Sequence, residues 1–283
     1  NLNSLFTLRQ LNVHNTLLSK ALERLSSGYR ITRSDDDPSG LALADKLRMQ
    51  VRGFQQASRN ITAATNFVRT AEDGMTEIFN LLVDIRDLSL EAANGTQSSS
   101  DRLVNQTEIN QLLTEIDRLA TAVKFNGMKL LNGSFASKSP GTTLLGGGSY
   151  IGSAVFQVGS NKGDKISTFI STQSAQSLGV NGLDVTTQLA ASNSVALINS
   201  AITRILSRSA RVGGVERRLQ SAKNIADLEA DSHAAAESAI RDADVATEIT
   251  NFTKEQILIQ AASAMLAQAN LLPQSLLVLF KFG

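Results

Sequence analysis

The side chains best suited to acid–base or metal chemistry in this sequence are two histidines, His14 and His233. Neither has a second histidine at a metal-binding spacing, and no HExxH motif is present. Because the chain contains no cysteine, disulfides, thiolate nucleophiles and cysteine metal sites are excluded. His14 falls in a leucine-spaced segment and His233 in an alanine-rich one, so we interpret both as exposed or interhelical histidines.

Two groups of aspartates are the next candidates for chemistry. Asp35, Asp36 and Asp37 are consecutive, whereas a calcium loop of the EF-hand type needs alternating ligands and a glutamate at its twelfth position. Helix capping and turn formation explain the triplet better. Asp242 and Asp244 could pair as acid and base, but residues two apart on a helix do not share a face, so surface charge is the preferred interpretation.

Composition excludes several further classes of function. The glycine-rich stretch LLGGGSYIG (144–152) fits neither GxGxxG nor a Walker A motif, so no phosphate site is predicted. A net charge of +1 and scattered basic residues leave no nucleic-acid footprint. We therefore predict a protein that is not an enzyme and that has no catalytic, cofactor-binding or metal site.

Helical periodicity dominates both ends of the chain. Near the N-terminus, leucines recur at a 3,4 spacing with one asparagine in the pattern, which can fix the register of a coiled coil. A similar apolar run lies near the C-terminus. Since neither run can bury itself alone, we predict that the two pair with each other. The residues of this predicted terminal coiled coil are Leu8, Leu11, Asn15, Leu18, Leu22, Leu25, Ile249, Phe252, Ile259 and Leu266.

Between the ends, the pattern predicts long helices and one hairpin. A 3,4 apolar spacing runs from 43 to about 94, a second helix is predicted over about 101–129, and helical spacing returns from about 186. Ten of the nineteen glycines fall between Gly133 and Gly182, where SAVFQV and KISTFI flank GSNKGD as a β-hairpin. The predicted fold is mainly α: a long coiled-coil helical rod with a small β-hairpin and paired N- and C-terminal helices.

The stretch LSSGYRITRSDDDPSG (25–40) is predicted to be a joint between the first two helices. A glycine at its start can end the terminal helix, and aspartate with proline at its end can cap the long one. The residues assigned to the joint are Gly28, Asp35, Asp36, Asp37, Pro38 and Gly40.

The uncharged segment 256–280 invites a transmembrane interpretation. Four glutamines, Asn270 and Pro273 interrupt it, so a helix buried against protein is favoured over a membrane span. Residues 1–15 lack the basic and apolar regions of a signal peptide, so export would need another route.

Four motifs closely resemble those of bacterial flagellins. They are ALERLSSGYRITRSDDDPSGLALADKLRMQVRGFQQASRN (21–60), FNGMKLLNG (125–133, like the end of the family's third helix), VFQVGSNKGDKI (155–166, like its hairpin) and ESAIRDADVATEITNFTKEQILIQAASAMLAQAN (237–270). The similarity covers nearly the whole chain in the family's order. Relative to the family, the chain begins a few residues late and runs two residues past its usual basic terminus, here Lys281, so trimming is expected.

This resemblance implies a subunit of the helical filament of the bacterial flagellum, which drives swimming. It places residues 1–40 and 241–283 in an inner coiled coil and 41–240 in a surrounding rod domain with its hairpin near 154–170. Only about fifty residues separate the two halves, so large outer domains are expected to be missing. The implied partners are further copies of the chain, hook–filament junction proteins, the filament cap and a C-terminal export chaperone. The implied location is a secreted, extracellular filament, with a periplasmic one left open.

The family resemblance also marks a candidate patch for vertebrate innate receptors at Arg86, Leu88 and Glu108. Asp84 stands where immunostimulatory members carry a basic residue, and a reversed charge at an interface can cost several kcal/mol. We therefore expect weak receptor activation, which a receptor reporter assay would measure.

Two other functions remain open from the sequence. Hook–filament junction proteins share flagellin-like termini but do not polymerise without limit. A flagellin-like surface adhesin would need a binding cleft, for which the middle region offers only Tyr150, Phe156 and Phe169 as aromatic candidates.

Overall fold

The computed structural model describes residues 2–136 and 152–281, and within them the chain is mainly α-helical. The helices are α1 (Leu2–Ser27), α2 (Pro38–Ala92), α3 (Ser99–Ala122), α4 (Ala175–Leu178), α5 (Gln188–Arg241) and α6 (Val245–Lys281). The strands are β1 (Lys124–Phe125), β2 (Met128–Lys129), β3 (Ala154–Gln157) and β4 (Lys165–Thr168). Long helices, a small hairpin and pairing of the first and last helices confirm the predicted fold class. Most of the segment 144–152 lies outside the described residues.

Internal contacts divide the chain into two units. The terminal unit comprises Asn1–Arg52 with Ala230–Gly283, and the central unit comprises Gly53–Glu229. The long helices α2 and α5 contribute residues to both. The sequence analysis assigned residues 1–40 and 241–283 to an inner coiled coil and residues 41–240 to a surrounding rod domain. That division concerns the assembled filament and stays a prediction.

The core of the central unit is built by three helices whose apolar residues follow the predicted spacing. From Ile61 to Ile85, the large apolar residues at the 3,4 positions of α2 are at most 1% exposed, whereas the upstream positions are only partly buried. On α3, Ile109 and Ile116 are fully buried but Leu103 is 56% exposed, and the core positions of α5 are at most 2% exposed. Burial of this kind contributes about 1.5–3 kcal/mol for each large aliphatic side chain. The principal members are Ile61, Val68, Met75, Ile78, Leu82, Ile85, Ile109, Ile116, Ile198, Ile205 and Leu219.

The predicted hairpin is confirmed. Strands β3 and β4 pair antiparallel, with Ala154 opposite Thr168 and Gln157 opposite Lys165. The turn between them closes where the Val158 amide donates to the Asp164 carbonyl at 2.8 Å. Inward residues Ala154 and Ile166 are buried against the helical core, which stabilises a two-stranded sheet that would be marginal alone.

The third helix ends earlier than predicted. It begins as expected at a Ser/Asp capping box, in which Ser98 and Asp101 each accept from the other's amide, but it stops at Ala122 and not near 129. Residues 124–129 instead form the hairpin of β1 and β2, with Lys124 opposite Lys129. Asn126 and Gly127 both have positive φ (47° and 79°), as an Asn-Gly hairpin turn requires. The sequence FNGM was therefore wrongly taken as the end of a helix.

Asp242 and Asp244 are also placed differently from the prediction, because they lie between α5 and α6 and not on one helix. Asp244 is the N-terminal cap of α6: its Oδ1 accepts from the Ala246 and Thr247 amides at 3.0 and 3.4 Å. Asp242 accepts from the Ser238 hydroxyl at 2.5 Å. Both carboxylates therefore help to form a break in the helix.

One helix of the described residues, α5, is long and apolar enough to cross a membrane by length and composition alone. Ile198, Ile205, Val212 and Leu219 of this helix are at most 2% exposed inside the core of the central unit. Burial against protein therefore accounts for part of its apolar character, since 28% of the apolar window is buried.

Candidate assembly surfaces

The first and last helices pack against each other in antiparallel directions. The contacts that join them run from Ser4–Asn270 through His14–Glu255 to Arg24–Glu248, so the residue numbers rise on one helix as they fall on the other. The less exposed positions of each helix include an unbroken 3,4 alternation, the signature of coiled-coil packing. We call these residues the terminal seam: Ser4, Thr7, Leu11, His14, Leu18, Ala21 and Leu25 on α1, with Glu248, Phe252, Glu255, Ile259, Ala262, Leu266 and Ala269 on α6.

The terminal seam is unusually polar. His14 Nδ1 lies 2.7 Å from Glu255 Oε2, and the side chains are only 21% and 9% exposed. Two further seam residues bond to residues beside it: Glu248 accepts from Arg24 at 3.2 Å, and the Ser4 hydroxyl donates to Asn270 Oδ1 at 3.0 Å. Polar groups at such positions fix register but contribute less stability than leucine would. The seam therefore specifies how the two helices align without holding them strongly.

Only part of the predicted terminal coiled coil lies in this seam. Leu11, Leu18 and Leu25 face it on α1, and Phe252, Ile259 and Leu266 face it on α6. Four predicted members are exposed instead: Leu8, Asn15, Leu22 and Ile249. The prediction missed these positions because α1 has two overlapping 3,4 patterns that share Leu11, Leu18 and Leu25. The seam uses the pattern whose other members are more polar. Their part in filament assembly stays a prediction.

The two terminal helices leave much apolar surface uncovered. Leu5, Leu8 and Leu22 on α1 are 44–61% exposed, and Ile257 and Met265 on α6 are about 60% exposed. A pair of helices has too little surface to bury apolar residues on more than one face each. Large apolar side chains exposed on two paired helices are typical of an interaction site.

The predicted joint between α1 and α2 contains residues that end one helix and begin the next. Gly28, with φ of 75°, follows the last turn of α1, and Pro38 is the first residue of α2. Asp37 Oδ1 accepts from the Gly40 amide at 2.9 Å, and a Cβ at position 40 would overlap the Asp37 carboxylate. The aspartate triplet does not act as one cap, because Asp35 is exposed and Asp36 bonds elsewhere.

The joint is bound to the break between α5 and α6, which the sequence did not indicate. The Ala243 amide donates to the Gly28 carbonyl at 2.9 Å, and the Arg30 amide donates to the Arg241 carbonyl at 2.6 Å. The Arg241 guanidinium carbon lies 4.5 Å from the centre of the Tyr29 ring, a cation–π contact. The two breaks in helical structure thus form one hydrogen-bonded element within the terminal unit.

Acid is expected to loosen the joint through Asp36. The hydrogen bond from Lys20 Nζ (3.2 Å), helped by those from Thr32, lowers the pKa of Asp36 from its ordinary 3.8. Since the folded pKa is the lower one, this stabilisation is present above pH 3.8 and is lost as pH falls through the folded pKa. NMR titration of carboxyl carbons should give Asp36 a pKa below 3.8, and Lys20→Met should raise it. An unchanged pKa in Lys20→Met would contradict the assignment.

The candidate receptor patch lies on α2 and α3. Arg86 Nε donates to Asn199 Oδ1 at 3.0 Å, Leu88 packs half-buried against the core, and Asp84 and Glu108 are exposed. Its role in receptor recognition stays a prediction.

A cluster of four phenylalanines in the central unit was not predicted. Phe67 of α2 makes edge-to-face contacts with Phe125, Phe135 and Phe156, with ring centres 5.3–5.7 Å apart. These residues come from α2, β1, the chain after β2, and β3, so the cluster fastens both hairpins to the long helix. Their separation in sequence gave no local signal. Among the described residues, no group of three or more His, Cys, Asp or Glu side chains could hold a metal ion.

Comparison with known proteins finds family models that match the N-terminal and C-terminal parts of this chain. Residues 1–136 match the family model described as the bacterial flagellin N-terminal helical region, and residues 195–280 match the bacterial flagellin C-terminal helical region. Flagellin FlaB1 of Treponema pallidum is 39% identical, over 99% of this chain and 98% of that protein. A flagellar filament 30.7 kDa core protein of Treponema maltophilum is 38% identical over the same shares. The flagellin of Bacillus subtilis is 36% identical, again over 99% and 98%.

These relatives extend over nearly the whole chain, and the two matched regions include the paired terminal helices and the joint. The central unit has room for two short hairpins between its long helices and is of the size expected for a core-only member. The chain belongs to the bacterial flagellins and is a structural subunit of the flagellar filament.

Proposed function

We propose that this flagellin builds its filament by burying, between neighbouring copies, the apolar faces that α1 and α6 leave exposed in a single chain. The observation that carries the proposal is the exposure of Leu5, Leu8 and Leu22 on one helix and Ile257 and Met265 on the other. Removal of apolar surface from water contributes about 25 cal/mol per Å² before ordering costs are subtracted. Contacts between different surfaces of identical subunits do not close, and so they give a helical polymer.

In this proposal residues 1–40 and 241–283 form an inner layer of the filament, and residues 41–240 surround it. The polar terminal seam supports such a division, since a weakly held helix pair can order when neighbours supply apolar partners. The joint at Gly28–Gly40 then links the two layers. It can be polar because it connects them and does not fill a core.

The role we propose is purely structural, without catalysis, and the protein is secreted. The filament is extracellular or periplasmic. Hook–filament junction proteins, a filament cap and a C-terminal export chaperone complete the proposed partners. Membership of a structural family and the apolar, unpaired faces of the terminal helices support these assignments.

Electron microscopy of the purified chain, after addition of filament seeds, tests the proposal. Long unbranched tubes are expected from the natural sequence. Ile257→Asp with Met265→Asp should abolish them, because burying two carboxylates in an interface costs several kcal/mol, while exposed positions leave the subunit folded. The matched control, Ile257→Leu with Met265→Leu, should polymerise normally. Persistent monomers of the natural sequence, or tubes from the aspartate variant, would reject the proposal.

A further inference from the structure

Two carboxyl groups face each other across the contact between α2 and α5 in the central unit. Glu72 of α2 and Glu216 of α5 are both half-buried, and their side chains lie within hydrogen-bonding distance of each other. A Cβ at Gly213, one turn before Glu216, would stand 3.6 Å from Glu72 Oε1, so the Glu72 carboxyl group rests against α5. Because an ionised carboxylate can only accept, the two groups can share a hydrogen bond only if one of them holds a proton.

The neighbouring charges do not neutralise this pair. Arg69 Nη2 lies 2.7 Å from Glu216 Oε1, and Arg69 is one turn before Glu72 on α2. Asp73, the residue after Glu72, adds a further negative charge. The two residues that follow Glu216 are exposed arginines, but residues one and two apart on a helix do not share a face. When all the acids are ionised, three negative charges and one positive charge therefore act at this point of the contact.

These surroundings raise the pKa of Glu72 above its ordinary 4.5. Desolvation by burial is the largest cause, followed by repulsion from Glu216 and Asp73, while Arg69 acts in the opposite direction. Because the folded pKa is the higher one, the folded chain holds a proton that the unfolded chain releases. The stabilisation from this proton is fully present below pH 4.5 and is lost as pH rises through the folded pKa. Asp36 in the joint, whose pKa is lowered, has the opposite dependence.

Helix α5 is intrinsically weak at the same level. Gly213 and Gly214 lie in the middle of this 54-residue helix, where glycine is among the least favourable residues. A Cβ at Gly214 would meet nothing within 4 Å, and a Cβ at Gly213 would make only an ordinary contact with Glu72. Packing therefore requires neither glycine. Repulsion between the carboxylates acts on a stretch of α5 that can deform more easily than the rest of the helix.

We propose that the contact between α2 and α5 is pH-sensitive at this point, because one proton shared between Glu72 and Glu216 joins the two helices in acid. Loss of the proton at higher pH leaves two carboxylates that repel each other, and this loosens α5 around Gly213. The inference concerns the single subunit and does not depend on polymerisation. Acid thus has opposite effects on two parts of the chain, since it loosens the joint through Asp36 and tightens the contact between α2 and α5.

Glu72→Gln in the full chain tests the proposal, since the glutamine amide can donate a hydrogen bond as the protonated acid does but cannot titrate. At about pH 7 the variant should have a Tm roughly 2–4 °C higher than the natural sequence. Its amides around Gly213 should also exchange several-fold more slowly than those of the natural sequence at the same pH. At about pH 4 both differences should disappear, because the natural Glu72 is then protonated. Glu77→Gln, at an exposed glutamate of the same helix, is the matched control and should change neither value.

NMR titration of carboxyl carbons provides a second, independent measurement. Glu72 of the natural sequence should have a pKa above 4.5, and Glu216→Gln should lower that pKa by removing the repelling charge. The proposal is overturned if Glu72→Gln does not raise the Tm at neutral pH, or if the gain persists unchanged at about pH 4. A Glu72 pKa at or below 4.5 overturns it as well. None of these outcomes bears on the proposed function, which electron microscopy of filaments tests separately.

Discussion

Phe67→Ala is expected to lower the free energy of unfolding of the central unit by about 3–5 kcal/mol. The ring is 4% exposed and touches three other phenylalanine rings, so its removal leaves a cavity and unfastens both hairpins from α2. For a unit of this size, each kcal/mol corresponds to roughly 2–4 °C in Tm. Thermal unfolding followed by circular dichroism should therefore show a loss of roughly 6–20 °C.

Phe169→Ala is the matched control for this experiment. Phe169 lies in the same unit, just beyond β4, but is 37% exposed and should cost less than about 1 kcal/mol. Equal losses for the two variants would show that the phenylalanine cluster does not organise the unit.

The double change His14→Leu with Glu255→Leu is expected to stabilise the terminal helix pair. Replacing a buried polar pair by apolar residues is often neutral or stabilising by about 1–4 kcal/mol, since no charge must then be desolvated. In the free subunit, amides of α1 and α6 should exchange fast in the natural sequence. The double variant should protect them at least 10-fold more.

His14→Leu alone is the informative comparison. It leaves Glu255 in the seam without its imidazole partner, and protection in α1 and α6 should fall below that of the natural sequence. If the natural free subunit already protects these helices as fully as the core of α2, the proposed ordering on assembly would be wrong.

The core of the central unit was well predicted because the apolar spacing of α2 allows only one face of the helix to be buried. From Ile61 to Ile85 the large apolar residues of α2 keep a single 3,4 spacing, and a shift of register would bury polar residues. On α1 the pattern has two solutions that share Leu11, Leu18 and Leu25. Which one forms the seam is decided by Glu255 and Glu248, whose respective partners His14 and Arg24 lie more than 220 residues away along the chain. No local pattern carries that information.

Turn chemistry explains the other differences. Asn126-Gly127 is a strong hairpin signal, but it follows twenty-odd residues of good helical spacing, which favoured extending the helix. Asp244 was likewise interpreted as part of a helix, although aspartate three residues before Thr247 is a capping arrangement. The bond of the joint to residues 241–243 could not be predicted, because it is made by backbone groups.

That backbone bond bears on the order in which the protein can be made. Gly28 and Arg30 reach their partners only when Ala243 and Arg241 exist, so translation must pass residue 243 before these hydrogen bonds can form. Until then α1 has neither its partner helix α6 nor the hydrogen bonds that join Gly28 and Arg30 to the break between α5 and α6. During most of its synthesis the nascent chain therefore has an N-terminal segment without its tertiary contacts, and this segment can still be bound or threaded in an unfolded state.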